Sequence, residues 1–383
     1  MRNPFETDER RGFRESMARF VAQEIRPFAD EWDEAGGFPW ELHRKAGALG
    51  LFGFGIAEEY GGLGFDDCFM RAAAGEELGR CGATGIAASL GARNISTGPI
   101  ALLGSEELKL RVLPKVLSGE TASSLAITEP GGGSDVAGLQ TSARRDGDEW
   151  VLNGQKTFIT GGMNASHYVV GARTGGPGLK GISLFFVDWG TPGFSRSALD
   201  RKMGWWASDT ASLFFDDVRL PANALLGPEN GGFIAIMNNF NYERLTMIAQ
   251  GLGMAKLCFD EALAYARERR TFGKRLIDHQ VIAHKVAEMS ARIDSVEAYL
   301  NQICWLAENG PMPVAEISKA KFLSTKMLEY VASECMQIFG GAGYLRGNPV
   351  ERVYREVKVM AIGGGSEEIM KDLAIRQMGV AAG

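Results

Sequence analysis

Through residues 1–120 apolar positions recur every three or four residues, between glycine-rich breaks. In FRESMARFVAQEIRPFADEWDE, Phe13, Met17, Phe20, Val21 and Ile25 share one stripe, the spacing with which a helix buries one face. GEELGRCGATGIAASLGARN is rich in small residues, which suits helices that pack closely or border a cavity. From about Thr121 the period shortens. EWVLNGQKTFITGG, HYVVGART, GISLFFVDW and ASLFFDDVRLP are β-branched and aromatic runs bounded by Gly, Pro, Asn and Asp, and they predict an antiparallel β unit. After Gly231 the helical period returns, with Leu245, Ile248, Ala249, Leu252, Phe259 and Leu263 on one face and Ile317, Ala320, Leu323, Met327, Val331 and Ile338 on another. A helix bundle follows. The pattern predicts an α+β, mostly α chain: helical over 1–120, β over 121–227 and helical over 228–383.

Between two of the late helical stretches lies AIGGGSEEIM, residues 361–370. Three consecutive glycines mark either a plain helix-to-helix turn or a place where backbone takes positive φ and lets something come close. Ser366, with Glu367 and Glu368 behind it, reads as a helix start.

Composition narrows the classes. A chain of 383 residues exceeds what one core usually supports, and 45% apolar with 23% charged residues is ordinary for a globular protein. The net charge of −6 argues against nucleic acid, which needs a basic face. Five scattered cysteines without a CxxC pair suit reduced, buried thiols in a cytoplasm. No apolar run reaches membrane-spanning length, and the charged MRNPFETDERRGF has no apolar signal core, so the chain reads as an unprocessed start.

The common nucleotide and hydrolase motifs fail. The GxG pairs at Gly53, Gly251 and Gly341 are followed at the sixth position by Glu58, Lys256 and Arg346, so none makes a dinucleotide fingerprint. Gly176, Gly178 and Gly181 do match its spacing, but they lie between two strand-like runs with Pro177 inside and read as a β-turn. There is no GxxxxGK, GxSxG or HExxH, and the four histidines form no metal spacing.

Four stretches are specific when taken together. AITEPGGGSDVAGLQTSARRDGDEWVLNGQKTFITGG, from Ala126 to Gly162, resembles the signature region of acyl-CoA dehydrogenases. ARERRTFGKRLIDHQ, MQIFGGAGYLRGNPVERVYRE and AIGGGSEEIM resemble that family too, in the same order and over essentially the whole chain. The resemblance implies an N-terminal helical domain, a central β-barrel domain and a C-terminal four-helix bundle. It also implies FAD, an acyl-CoA substrate, a role in β-oxidation, a homo-oligomer, here a tetramer, and electron-transfer flavoprotein as the electron acceptor. A flavin ring has apolar faces and polar edges, so it needs both apolar walls and hydroxyl or N–H groups. By resemblance, Leu125, Ile127, Thr128, Gly133, Ser134, Phe158, Ile159 and Thr160 border that ring, with Thr128 and Thr160 at its polar edge and Ser134 between flavin and substrate. Taken alone, both threonines read equally as strand residues. Arg269, Thr271, Phe272 and Gln280 resemble residues that reach the FAD pyrophosphate or adenosine of a neighbouring subunit. Gln337, Gly340 and Gly341 resemble the matching adenine-side loop, and Ser366 and Glu368 face FAD. Alone, Arg269 reads as a solvated helix charge.

Dehydrogenating an acyl-CoA requires a base for the Cα proton and donors for the thioester oxygen. Many family members carry that base in the glycine loop, where Gly364 stands here. In the isovaleryl- and long-chain subgroup it lies on an earlier helix, and the matching position in FNYERLTMIAQ is Glu243, followed by Arg244. The resemblance then gives the Gly364 N–H to the thioester oxygen and makes Asn241, Arg244, Gly365 and Ser134 substrate contacts. From the residues alone, Asn239 or Asn241 caps a helix whose first turn holds Glu243. Ala87, Ala88 and Gly91 are small enough for a medium-to-long or branched acyl pocket, which Tyr242 narrows. An acyl-CoA oxidase is the second reading. A non-catalytic or nucleic-acid-binding relative is the third, opposed by the acidic charge and by Glu243.

Overall fold

The computed structural model describes residues 4–380, so the first three residues of the charged N-terminal segment lie outside it. Helices α1 (Asp8–Phe20), α2 (Ala29–Ala35), α3 (Glu41–Ala48), α4 (Cys68–Gly79), α5 (Thr84–Leu103) and α6 (Glu106–Leu117) come first. Strands β1 (Ser123–Ala126), β2 (Ser142–Asp146), β3 (Glu149–Thr160), β4 (His167–Arg173), β5 (Ile182–Asp188), β6 (Phe194–Ala198), β7 (Thr210–Pro221) and β8 (Leu225–Leu226) follow. Then come α7 (Gly232–Glu268), a small hairpin of β9 (Arg270–Thr271) and β10 (Lys274–Arg275), α8 (Gln280–Asn309), α9 (Val314–Phe339), α10 (Pro349–Ile362) and α11 (Glu367–Gln377).

The N-terminal stripe forms as read: Met17, Phe20, Val21 and Ile25 are buried, and Phe13 packs at their edge. In the late bundle α7 packs on α8, α9 and α10, while α11 lies against α9. Leu323 does not belong to the buried stripe of α9. It is 45% exposed, and the inward positions beside it are Lys321, Ser324 and Thr325. Helices α4 and α7 touch backbone to backbone, since a Cβ on Gly253 would lie 1.9 Å from the Glu76 carbonyl oxygen. Only glycine permits that approach.

The sheet is not a closed barrel, and it is mixed rather than antiparallel. Its order is β6, β7, β3, β2, β4, β5, β8, with β1 pairing alongside β4, so the two ends never meet. The end strand β8 has two residues. β1 runs parallel to β4, and β2 joins β4 through one parallel pair, Ser142 with Arg173. The weak apolar alternation of β1, β2 and β6 hid them in the sequence. Gly176 to Gly181 lie in the turn between the paired strands β4 and β5, as read. Both faces of β4 are buried: Tyr168 and Val170 join a core enclosed by the sheet, while Val169 packs with the N-terminal helices.

Candidate active site

Helix α7 starts at Gly232, so Asn239, Asn241 and Glu243 lie well inside it, and the reading of an asparagine cap with an acid in the first turn is corrected. Asn239 has a different task. Pro99 within α5 has no N–H for the carbonyl four residues back, and the Asn239 amide donates to that Ile95 oxygen at 2.6 Å. Gly98 makes room, since a Cβ there would sit 2.5 Å from Asn239 Oδ1. The carbonyl freed by Pro99 thus docks α5 onto α7. Ala88, Gly91, Ile95 and Gly98 are partly accessible along one stripe of α5, and a Cβ added at Gly91 would meet nothing within 4 Å.

Glu243 keeps part of its surface accessible, yet burial pushes its carboxyl up to about 7 against the opposing pull of Arg244 and Lys321. The glycine loop lies beside it: a Cβ on Gly364 would be 3.9 Å from Glu243 Oε1 and 2.5 Å from the Met247 sulfur. Gly364 and Gly365 take φ of 65° and 104°, as the run of glycines implied. Two buried cations hold this loop by its carbonyls. Arg244 Nε donates to the Gly364 oxygen at 3.0 Å, and Lys321 Nζ donates to Met360, Gly363 and Gly365 at 2.8, 2.7 and 2.7 Å. Asn241 is buried and accepts from Arg244 at 3.3 Å. Ser366 caps α11, its Oγ accepting from the Ile369 N–H at 3.4 Å, with Glu368 exposed in the first turn.

The ends of β1 and β3 bring the second group together. The Thr157 N–H donates to the Thr128 oxygen at 2.9 Å, and Ser124 Oγ to the Thr160 oxygen at 3.0 Å. Leu125, Thr128 and Thr160 are partly accessible, Ile127 and Ile159 are buried, and Gly133 and Ser134 are exposed on the loop after Thr128. Phe158 stands here with φ 58° and is 69% exposed. A bulky residue held in the left-handed region is uncommon, and such strained positions cluster at functional sites. Beneath lies a buried pair missed in the sequence. Lys156 Nζ bonds both Glu129 Oε1 and the Ile127 oxygen at 2.9 Å, and Glu129 also accepts from the N–H groups of Gln140 and Thr141. This second group and the Glu243 group both border α5: Gly161 faces Ala92, and Gly98 faces Asn239.

The remaining residues gather elsewhere, where the end of α7 meets the end of α9 through the stacked rings of Tyr265 and Phe339. Arg269, Phe272, Gln280, Gln337, Gly340 and Gly341 are exposed there, and Thr271 is partly so. Phe272 sits at the tip of the β9–β10 turn with φ 50° and 96% exposure. Arg269 follows Glu243 on α7 by some 26 residues, about 39 Å along the axis at about 1.5 Å per residue.

Signals for what was missed were present in the sequence: Lys321 falls four residues after Ile317 on a buried helical stripe, and Lys156 sits within a strand-like run. A lysine on an inward face needs several acceptors.

Comparison with known proteins agrees with this geometry. The acyl-CoA dehydrogenase N-terminal, middle and C-terminal domain models match residues 7–120, 124–218 and 230–379. The chain is 39% identical over 369 residues to the long-chain specific acyl-CoA dehydrogenase of Rattus norvegicus mitochondria, covering 96% of this chain and 85% of that one. It is 36% identical to the probable acyl-CoA dehydrogenase YngJ of Bacillus subtilis, covering 97% and 98%. Among solved structures, a putative acyl-CoA dehydrogenase from Mycobacterium smegmatis superposes with a TM-score of 0.96 at 41% identity, covering 99% and 100%. A glutaryl-CoA dehydrogenase from the same organism, in complex with FADH2, superposes at 0.92 and 29%, covering 99% and 96%. With three domain models matched in order, the chain belongs to the acyl-CoA dehydrogenase family and is an FAD-dependent oxidoreductase acting on the CH–CH bond of acyl-CoA.

Proposed function

We propose that Glu243 takes the Cα proton of an acyl-CoA thioester while the Gly364 N–H binds the thioester oxygen, giving the trans-2-enoyl-CoA. The observation that carries this is a carboxyl pushed to about 7 by burial, beside a glycine loop with no competing side chain. A base poised near working pH is suited to a weakly acidic proton. FAD, when bound, supplies the two-electron acceptor for the hydride leaving Cβ. In this reading Thr128, Thr160 and the exposed Phe158 would hold its ring, and Arg244 with Lys321 keeps the loop in place beneath the thioester. Electron-transfer flavoprotein is then the onward acceptor. We take the helical, sheet and helical parts, with boundaries near residues 120 and 228, as three domains that each supply one wall. No helix among the described residues is long and apolar enough to cross a membrane, and the five buried, unbridged cysteines are in keeping with a cytoplasmic setting. Anaerobic mixing with a series of acyl-CoAs tests the reading: bleaching of the flavin absorbance is expected, and a flavin-loaded protein that no acyl-CoA bleaches overturns it.

The open stripe on α5 favours long or branched acyl groups. Tyr242 does not narrow it freely, because the Arg71 guanidinium lies 4.8 Å over its ring. Filling the space with Gly91→Leu should lower kcat/KM for long chains about tenfold or more and spare butyryl-CoA, at roughly 1–3 kcal/mol for bulk forced into a fitted pocket. Highest kcat/KM for butyryl-CoA in the unaltered protein contradicts this pocket.

Arg269 lies about 39 Å from Glu243 along the α7 axis, and we assign it and its neighbours to the FAD of a second copy in a homo-oligomer, a tetramer by resemblance. Arg269→Ala should weaken FAD binding by about 1.5–3 kcal/mol, the range for a charged hydrogen bond, as read by FAD titration of the apoprotein. Full FAD retention in a dissociated monomer would sink the shared site.

A further inference from the structure

We propose that Lys321 is a positioning residue for the reaction: by drawing three carbonyls of the α10–α11 turn onto one ammonium, it fixes the peptide planes so that the Gly364 N–H is presented to the thioester oxygen. Lys321 is 2% exposed and extends from α9, outside the four stretches that carry the resemblance. An ammonium has three donors, and here all three are used on backbone oxygens of one turn, those of Met360, Gly363 and Gly365. A trans peptide places its N–H opposite its C=O. Fixing the Gly363 oxygen on Lys321 therefore turns the Gly364 N–H away from the ammonium, and that N–H has no acceptor among the described residues. The next plane is fixed in turn, since Arg244 takes the Gly364 oxygen. With φ of 65° and 104° at Gly364 and Gly365, the loop has no side chains of its own to hold it. Its rigidity comes from these two cations. Lys321 is also close enough to Glu243 for each to feel the other's charge, along with Arg244 and Glu367.

This inference rests on the reading of the glycine loop as the floor of the acyl site, and its test separates the two. In the flavin-loaded Glu243→Gln protein, affinities are measured for a saturated acyl-CoA thioester and for the matched S-alkyl-CoA thioether, which lacks the carbonyl. Bleaching by the thioester there would refute Glu243 as base without touching Lys321. With Lys321 in place, the thioester should bind roughly 3- to 10-fold more tightly, the worth of one backbone hydrogen bond. Adding Lys321→Met should bring that ratio close to one. A merely structural role would weaken both ligands alike and leave the ratio unchanged, and that result overturns the proposal. If the methionine variant does not hold FAD, Lys321→Gln, which keeps a neutral donor on a shorter stem, is read in the same way. An unchanged ratio there overturns the proposal too.

Discussion

Glu243→Gln should slow flavin reduction by acyl-CoA roughly 10²- to 10⁴-fold, the usual worth of a positioned general base, with FAD content unchanged. The amide keeps the shape and cannot take the proton. In the unaltered protein, burial holds the Glu243 carboxyl at about 7, so the group is neutral below that pH and ionised above it. The reduction rate should therefore rise as pH passes upward through about 7, and the variant should lack that rise. Stability moves the opposite way. Between 4.5 and about 7 the native state holds a proton that the unfolded chain has released, so rising pH costs the unaltered protein stability there. The glutamine variant should gain relative to it across that window. Gly364→Glu, added to Glu243→Gln, puts a carboxylate back beside the vacated position, because its Cβ would start 3.9 Å from Oε1. Recovery should be partial. That Cβ would lie 2.5 Å from the Met247 sulfur at φ 65°, and left-handed backbone costs a side chain about 1–2 kcal/mol. Undiminished reduction in Glu243→Gln alone would move the search to Glu367 and Glu368.

Much of the architecture was legible because the signal was periodic. The helical stripes of α1, α7 and α9 and the strands β3, β4, β5 and β7 alternate or repeat strongly enough to be read. What escaped depends on contacts between distant segments. β1 pairs parallel to β4 across some 40 residues of chain, and no local pattern encodes an edge left open. The glycine loop illustrates the division. Its run of glycines announced positive φ or close approach, and both are found, but that Arg244 and Lys321 hold its carbonyls is a matter of tertiary placement. The asparagine-cap reading failed because α7 continues through Gly232 to Phe240 ahead of Glu243, a stretch whose mixed side chains gave no clear period.

Lys156→Met should be the most damaging single change to the fold where β1 and β3 end, the edge at which we propose the flavin binds. Lys156 is fully buried and Glu129 is 8% exposed; burial lowers the Lys156 ammonium to about 8, while Lys156 and the Gln140 and Thr141 N–H groups hold Glu129 ionised. Removing the lysine strands a buried carboxylate, which costs about 3–5 kcal/mol. Glu129→Gln should cost less, because the lysine left behind can lose its proton. The pair replaced together, Lys156→Met with Glu129→Gln, should recover much of the loss, which a double-mutant cycle on thermal unfolding measures. The effect reaches the site by the same peptide geometry as at Gly364. With the Ile127 oxygen held on Lys156, the Thr128 N–H is turned to the opposite side. FAD affinity in Lys156→Met should thus fall even at temperatures where the helices stay folded by circular dichroism. An unfolding midpoint and an FAD affinity both unchanged would show that the pair is a passenger in this core.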